Sequence, residues 1–416
     1  MLRGSQGELE RWIAELQSQN KFEPVKHFMP GGTWRNFRVK YPEANLMYGR
    51  MLQVSRTVGA LPSASRSRAQ EELYRAQCNC GYWHGVFGGL YLPHLRHSIY
   101  RHLLMAEREA EKDPAPGYKL LDLDLDGREE IRLHNGRINI FLDPDEGGRI
   151  VELDERERGV NLTAGLSRRA ESYHERVKKA VVASEGETRS IHDLVLTKVE
   201  GIGRHLRYDR YTRATLLDHF YPSTVRVEEV EAGEQESGDF IEGAYRSAVS
   251  RKGKSVTAVL TREGCVRLSG GEPLPVLVRK EITLADEPQF QVEYSIENRG
   301  GRILEGIFAV EFLMGSLGAA MALHRGDKKP MGTLGETKDH PGGPALWISD
   351  DWHDMSVGLV ASSVAGFWVF PLQTVSISEG GFELNFQAGV VMPHWNLRLE
   401  AGRSWKGVIT HRIENR

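Results

Sequence analysis

Cysteine is scarce: 416 residues hold only Cys78, Cys80 and Cys265. So odd and sparse a set argues against a disulfide framework and predicts a reducing, cytoplasmic location. Charge of one sign is lacking too. With 54 basic and 57 acidic side chains the formal net charge is −3, so no general field draws the chain to nucleic acid or to an anionic membrane. Residues 1–12 carry Glu8 and Glu10 where a secretory leader needs an apolar run, and no export signal is expected. Long uncharged runs are rare. The one of note, Met355 to Ile377, approaches membrane-spanning length but contains Ser362, Ser363, Pro371, Gln373 and Thr374. Two strands meeting at a turn near Ala365-Gly366 explain it better, because strand alternation continues on both sides and buried strands are apolar without being membranous.

Against these absences stand 40% apolar and 27% charged residues, the composition of a globular chain with a large core and room for two or three domains. The first part has helical spacing. Leu9, Trp12, Ile13 and Leu16 share one face of a helix. Met47, Met51, Val54 and Val58 after Pro42 predict a second, and Ala69, Leu73 and Ala76 a third. Leu92, Leu95, Ile99 and Leu103 predict a fourth, followed by a charged run and then by Pro114, Pro116 and Gly117, which stop it. The expected division is therefore a helical region over residues 1–113 and a second domain over residues 114–416.

In that second domain the period falls to two. Ile138, Ile140 and Leu142 alternate after the turn pair Asn135-Gly136, and Phe290, Val292, Tyr294 and Ile296 line one strand face. Phe308, Val310 and Phe312 repeat the pattern, as do Phe382, Leu384 and Phe386. Many strands bounded by glycine-rich turns, without intervening helices, predict a large antiparallel β-sandwich, so the fold class is α+β and multidomain. A charged excursion at about residues 164–200, with Arg168-Arg169 and Tyr173-His174-Glu175, resists the strand pattern. Connections of such length are functional or disordered more often than they are simple turns.

Three clusters offer metal or acid-base chemistry. Asp122-x-Asp124-x-Asp126-Gly127-x-x-Glu130 sets oxygen ligands at positions 1, 3, 5 and 9 of a tight loop with glycine at the bend, the pattern of a structural Ca²⁺ loop. Leu133 stands where an EF-hand needs its last glutamate, so short Ca²⁺ loops of β-proteins are the nearer comparison, and a solvated acidic linker is the alternative. Cys78-x-Cys80 with His84 and Cys265 has irregular spacing for zinc. Asp350-Asp351-Trp352-His353-Asp354 gathers carboxylates about an imidazole, although a polar surface loop explains it more simply.

The most informative run is Ala76-Gln77-Cys78-Asn79-Cys80-Gly81-Tyr82-Trp83-His84-Gly85-Val86-Phe87-Gly88-Gly89, continuing Leu90-Tyr91-Leu92-Pro93-His94-Leu95-Arg96. Amide, phenol, indole and imidazole lie close together, with glycines allowing near backbone approach. Aromatic faces suit the C–H side of a pyranose, and the polar groups suit its hydroxyls. A buried Trp-Tyr-His cluster tying two helices would use the same residues.

This run resembles the last characteristic region of family 57 glycoside hydrolases of the 4-α-glucanotransferase and α-amylase type. Gly31-Gly32-Thr33-Trp34-Arg35-Asn36-Phe37 and Lys40-Tyr41-Pro42-Glu43-Ala44-Asn45 are similar to the stretch entering that family's helical region, and Asp122 to Ile131, Gly147-Gly148 and Asp218-His219-Phe220 to its C-terminal domain. The resemblance implies that Asn79, Tyr82, Trp83 and His84 face a glucan cleft, while Cys80 stands where many relatives carry aspartate. It also implies a sandwich of the galactose-mutarotase-like type. The family's glutamate nucleophile and aspartate acid/base belong to an N-terminal barrel whose motifs do not occur in this sequence, so no catalytic residue is assigned.

The resemblance therefore implies the C-terminal portion of an α-glucan-processing enzyme, inactive alone, binding an α-glucan or maltooligosaccharide and met by a separate barrel chain or by self-association. The alternative is a stand-alone carbohydrate-binding or accessory protein, and a sugar epimerase is a distant third. A bare face around Tyr82 and Trp83 predicts dimerisation or aggregation.

Overall fold

The structure is a computed structural model that describes residues 5–29, 32–85, 87–111, 115–182, 201–267, 271–316, 318–326, 329–378 and 381–416. Val86, Pro114 and residues 183–200 of the charged excursion lie outside the described residues.

Among the described residues six α-helices come first: α1 (Ser5–Ser18), α2 (Phe22–Val25), α3 (Trp34–Lys40), α4 (Pro42–Gly59), α5 (Ser63–Ala76) and α6 (Pro93–Ala110). Proline opens both α4 and α6, where its fixed φ suits the first turn and its missing N–H costs nothing. Thr33 caps α3 reciprocally with Asn36, whose Oδ1 accepts from the Thr33 amide at 2.8 Å. The periodic residues do what their spacing predicts. Met47, Val54 and Val58 of α4, Ala69, Leu73 and Ala76 of α5, and Ile99 and Leu103 of α6 converge in one core with Tyr41, Tyr82, Leu90 and Tyr91. The stripe on α1 differs, because among the described residues it joins no hydrophobic core cluster. Trp12 is exposed, and Ile13 and Leu16 are only partly covered.

The sandwich begins with a five-stranded antiparallel meander in chain order: β1 (Gly117–Leu121), β2 (Glu130–His134), β3 (Ile138–Asp143), β4 (Arg149–Glu155) and β5 (Val160–Asn161). Opposite lies a twelve-stranded sheet. It comprises β6 (Leu217–Tyr221), β7 (Arg246–Lys252), β8 (Ser255–Val266), β9 (Leu274–Leu284), β10 (Gln289–Asn298) and β11 (Leu304–Met314). Then follow β12 (Ala322–His324), β13 (Gly332–Thr333), β14 (Lys338–Asp350), β15 (Met355–Ser378), β16 (Gly381–Leu399) and β17 (Ser404–Asn415). Ile131, Leu133, Ile138, Ile140 and Leu142 of the small sheet share a core with Val256, Val278, Val292, Phe308 and Val391 of the large one. Two short helices, α7 (His174–Val182) and α8 (Val227–Ala232), lie in the connections.

Two details depart from simple alternation. The strand β11 buries Phe308, Val310 and Phe312 in the inter-sheet core, and also buries Ile307, Ala309 and Leu313 against Trp368, Phe370 and Val390 on its other face. The run Met355 to Ile377 does not turn at Ala365-Gly366. It is the single strand β15, and the irregularity is a bulge within it: between Val360 and Ala365 it advances five residues while β14 advances only two, from Ala345 to Gly343. The bulge bends β15 without ending it, so the strand runs first beside β17 and then beside β16. No described helix is long and apolar enough to cross a membrane.

The helices are joined to the sandwich by polar groups. Arg50 of α4 donates to Glu107 of α6 at 2.8 Å and to Glu152 of β4 at 2.6 Å, all fully buried. Arg96 of α6 donates to Gln387 of β16 at 2.6 Å, and Gln387 donates to the Tyr91 carbonyl at 2.9 Å. The loop following α5 is thus pinned from the sandwich side.

Candidate functional site

Residues 77–92 link α5 to α6 in a tight loop. Gly88 (φ +89°) and Gly89 (φ +51°) occupy the left-handed region, and a Cβ on Gly89 would lie 2.0 Å from the Trp83 carbonyl oxygen, so glycine is required there. The Leu90 amide donates to that oxygen at 2.8 Å. This closure turns the Trp83 side chain outward, half exposed. One indole face stacks on Phe37, ring centroids 4.8 Å apart, and Phe37 stacks on Trp34 at 5.4 Å. Beside them lies a cavity of about 310 Å³ lined by Trp34, Tyr48, Met51, Gln77, Asn79, Tyr82 and Trp83.

The four residues assigned to sugar binding divide. Asn79, Tyr82 and Trp83 line this cavity. Asn79 is exposed at its edge, whereas the Tyr82 ring is buried and its hydroxyl donates to the Ala76 carbonyl at 2.9 Å, so Tyr82 contributes a wall and not a free polar group. His84 turns the other way, onto Tyr91 at 4.6 Å and Tyr173 at 5.7 Å. Its Nδ1 lies 3.2 Å from the Gly88 carbonyl oxygen. A carbonyl can only accept, so Nδ1 carries the proton and Nε2 is a lone-pair acceptor. Burial holds the imidazole below its ordinary pKa despite the nearby Glu171 carboxylate.

Beneath His84 is a cluster that sequence patterning did not single out. Glu171, buried in the loop leading to α7, accepts from the hydroxyls of Tyr41 and Tyr91, both at 2.7 Å, and pairs with Lys40 Nζ at 2.7 Å. Burial pushes its carboxyl up, but Lys40 and the two phenols outweigh that and hold it below the usual range. Arg169 makes a parallel tie to Glu43 at 2.8 Å. Lys40, Tyr41 and Tyr91 stood in the informative stretches. Glu171 lies 80 residues beyond Tyr91 in sequence, and no spacing rule could have joined them.

The acidic loop folds much as its spacing predicts. Carboxylate oxygens of Asp122, Asp124 and Glu130 lie within 4.8 Å of one another, and among the described residues no other group of three or more His, Cys, Asp or Glu converges so. Asp126 is not among them: its carboxylate turns to accept from the Arg128 amide at 2.7 Å, while its own amide donates to Asp122 and Asp124. Burial, then Asp124 and Asp143, push Glu130 up to about 8, opposed by the Leu123 amide. Burial and Asp126 push Asp124 up to about 6. The loop touches the helices directly, since Asn45 of α4 donates to the Asp124 carbonyl and Gly49 leaves no room for a Cβ against Leu123. A divalent cation at Asp122, Asp124 and Glu130 would offset their mutual repulsion, so the residues fit such an ion.

The other candidates resolve simply. Cys78 and Cys80 are exposed beside Asn79, while Cys265 sits in β8 and joins no metal-ligand cluster. Asp350 is buried in the turn between β14 and β15, where it accepts from the amides of Trp352 and His353 and from His353 Nδ1 at 2.5 Å. It is a turn-stabilising group.

A layer of helices bearing an aromatic-walled groove, bolted to a two-sheet antiparallel sandwich, defines the class of protein. Residues 122–409 match the model of the alpha-amylase/4-alpha-glucanotransferase C-terminal domain, and residues 32–110 match that of the middle domain. The chain belongs to this alpha-amylase/4-alpha-glucanotransferase family. It is 35% identical to an alpha-amylase of Pyrococcus abyssi over 91% of this chain and 52% of that one. It is 33% identical to a 4-alpha-glucanotransferase of Thermococcus kodakarensis, again over 91% and 52%. The crystal structure of the 4-alpha-glucanotransferase of Thermococcus litoralis superposes with a TM-score of 0.79 at 29% identity, covering 98% of this chain and 55% of the other. The chain thus spans about half the length of the relatives it matches.

Proposed function

We propose that this chain supplies the groove wall and sandwich of an α-glucan-processing enzyme with family 57 chemistry, and that the cleaving carboxylates come from outside these 416 residues, in the same polypeptide or in another. The observation that carries this reading is Trp83: half exposed, backed on one face by Phe37, and standing at the edge of a cavity with Asn79. A half-exposed indole stacked on Phe37 offers a platform for the apolar side of a glucose ring. Exposed Trp12, Phe28, Val39 and Phe87 on the same helical half support a further protein surface, or a second copy, packing there. Asp122, Asp124 and Glu130 hold Ca²⁺ in this reading, stiffening the junction with α4. Three free thiols suit a cytoplasmic enzyme.

Calorimetric titration of the full chain with maltoheptaose, against Trp83→Ala, tests the reading. Loss of one stacked sugar should weaken binding about 5- to 15-fold, taking roughly 1–1.5 kcal/mol for the stack. The chain by itself should release no product sugars. Equal affinity in the two proteins would make Trp83 a packing residue and remove the groove from consideration.

A further inference from the structure

We propose, building on the glucan groove above, that Lys40 and His84 form a hydroxyl-reading pair for a vicinal diol of a glucopyranose, and that Glu171 is the residue that positions Lys40 in it. A diol presents adjacent oxygens that each donate and accept, so a site that recognises it gains from one fixed donor and one fixed acceptor. Lys40 is the donor. Its ammonium is anchored to Glu171 at 2.7 Å and lies 5.2 Å from the Tyr41 ring centroid, yet a third of the side chain stays exposed, so N–H bonds remain for a ligand. His84 is the acceptor. Its Nδ1 proton is committed to the Gly88 carbonyl, and among the described residues none bonds to Nε2 of this part-exposed ring, so its lone pair is available to a ligand.

The two groups share a platform. The Tyr41 ring lies under Lys40 and 6.4 Å from His84, and Tyr41 and Tyr91 both donate to Glu171. Tyr41 also packs on Phe37 at 4.5 Å, and Phe37 backs Trp83 at 4.8 Å. The pair therefore stands on the Tyr41 side of Phe37, next to the Trp83 groove and outside it, where a glucose ring neighbouring the stacked one would present its diol. A tie serving only to hold the loop of Glu171 against the helices would be satisfied by the two phenols. It would need neither a part-exposed ammonium nor an open imidazole nitrogen.

The test uses the full chain: maltoheptaose calorimetry from pH 4.5 to 8 on wild type, Lys40→Met, Glu171→Gln and Trp83→Ala, with the His84 titration followed by NMR. Losing a charge-assisted hydrogen bond should weaken binding about ten-fold in Lys40→Met. Glu171→Gln keeps two acceptor bonds for the phenols but releases Lys40, and should lose less, about two- to five-fold. His84 must be neutral to accept, so binding falls as it protonates. The charged groups facing it are Glu171, which raises its pKa, and Lys40, which lowers it, with Tyr41, Tyr91 and Tyr173 around the ring. In Lys40→Met the His84 midpoint should move up and the acid loss of binding should begin at higher pH, a change that a purely structural tie would not produce. Wild-type affinity and an unmoved His84 midpoint in Lys40→Met, with binding lost in Trp83→Ala, would overturn the pair and leave the groove standing. Absence of binding in wild type would overturn both.

Discussion

Arg50→Met tests how the two halves are joined. Arg50 is fully buried and donates to Glu107 at 2.8 and 3.0 Å, to Glu152 at 2.6 Å and to Asp154 at 3.4 Å. Methionine keeps most of the volume, so the loss is electrostatic and not a cavity. Glu107 would retain Arg132 at 3.3 Å and Arg156 at 3.9 Å, but Asp154 would keep only the Asn139 amide at 3.0 Å and Glu152 would have no cation. Removing one partner of a buried ionic group costs about 3–5 kcal/mol, and that is the loss expected at pH 7.5. The pH dependence gives the sharper check. Burial, and for Glu152 the neighbouring Asp154, already hold both carboxyls above their ordinary range, and Arg50 opposes this. Without Arg50 they rise further. An acid whose folded pKa exceeds its unfolded value loses stability as pH climbs from the unfolded value, about 4. The penalty should therefore shrink at pH 5, and Glu152→Gln should restore part of it at pH 7.5. Urea unfolding, followed by tryptophan fluorescence and by circular dichroism, measures this. A penalty under about 1 kcal/mol at pH 7.5, or a larger one at pH 5, would refute the assignment of Arg50 as the charge-balancing centre.

Two further outcomes follow from named groups. With Glu130 raised to about 8 and Asp124 to about 6, both above unfolded values near 4, metal-free protein should lose thermal stability as pH rises from about 4 to 8. Millimolar Ca²⁺ should remove that decline, and Glu130→Gln should abolish its part between about pH 6 and 8, leaving the Asp124 part below, together with the response to Ca²⁺; a melting temperature indifferent to Ca²⁺ would leave the loop a solvated linker. Burial disfavours a charge on His219, but Glu236 at 2.7 Å and Glu311 at 3.3 Å outweigh it and raise the imidazole to about 9. Its contribution is present below the unfolded value, about 6.5, and is lost as pH rises to about 9. His219→Asn should be less stable at pH 6 and show a flatter alkaline limb in thermal denaturation, and an unchanged limb would assign that loss to other groups.

The helical half was legible because α4, α5 and α6 each carry an apolar stripe of period 3.6 with proline at two starts, so pattern and propensity agree. The strands were legible as a class, since β9 and β10 alternate cleanly, but not in their limits. β15 runs 24 residues through a point where Ala365-Gly366 suggests a turn, because the surplus residues next to Ala365 are taken up as a bulge within the strand, and a bulge and a turn leave similar marks on the sequence. The acidic loop was also legible, its converging carboxylates lying eight positions apart at most. Asp126 stands apart from that group because a nearby backbone amide competes for its carboxylate.

By itself, then, the sequence determined the helices, the sandwich class, the aromatic and amide-rich character of residues 76–96 and the acidic loop, all features carried by neighbours in the chain. Only the tertiary structure decided that His84 leaves the Trp83 groove for Tyr91, that Glu171 reaches Lys40 and Tyr41 across 131 and 130 residues, and that Arg50 balances carboxylates on α6 and β4. Local patterns report which face of an element is apolar. They are silent on which buried charges meet, because a buried ionic group is stable only with partners that topology supplies from distant parts of the chain.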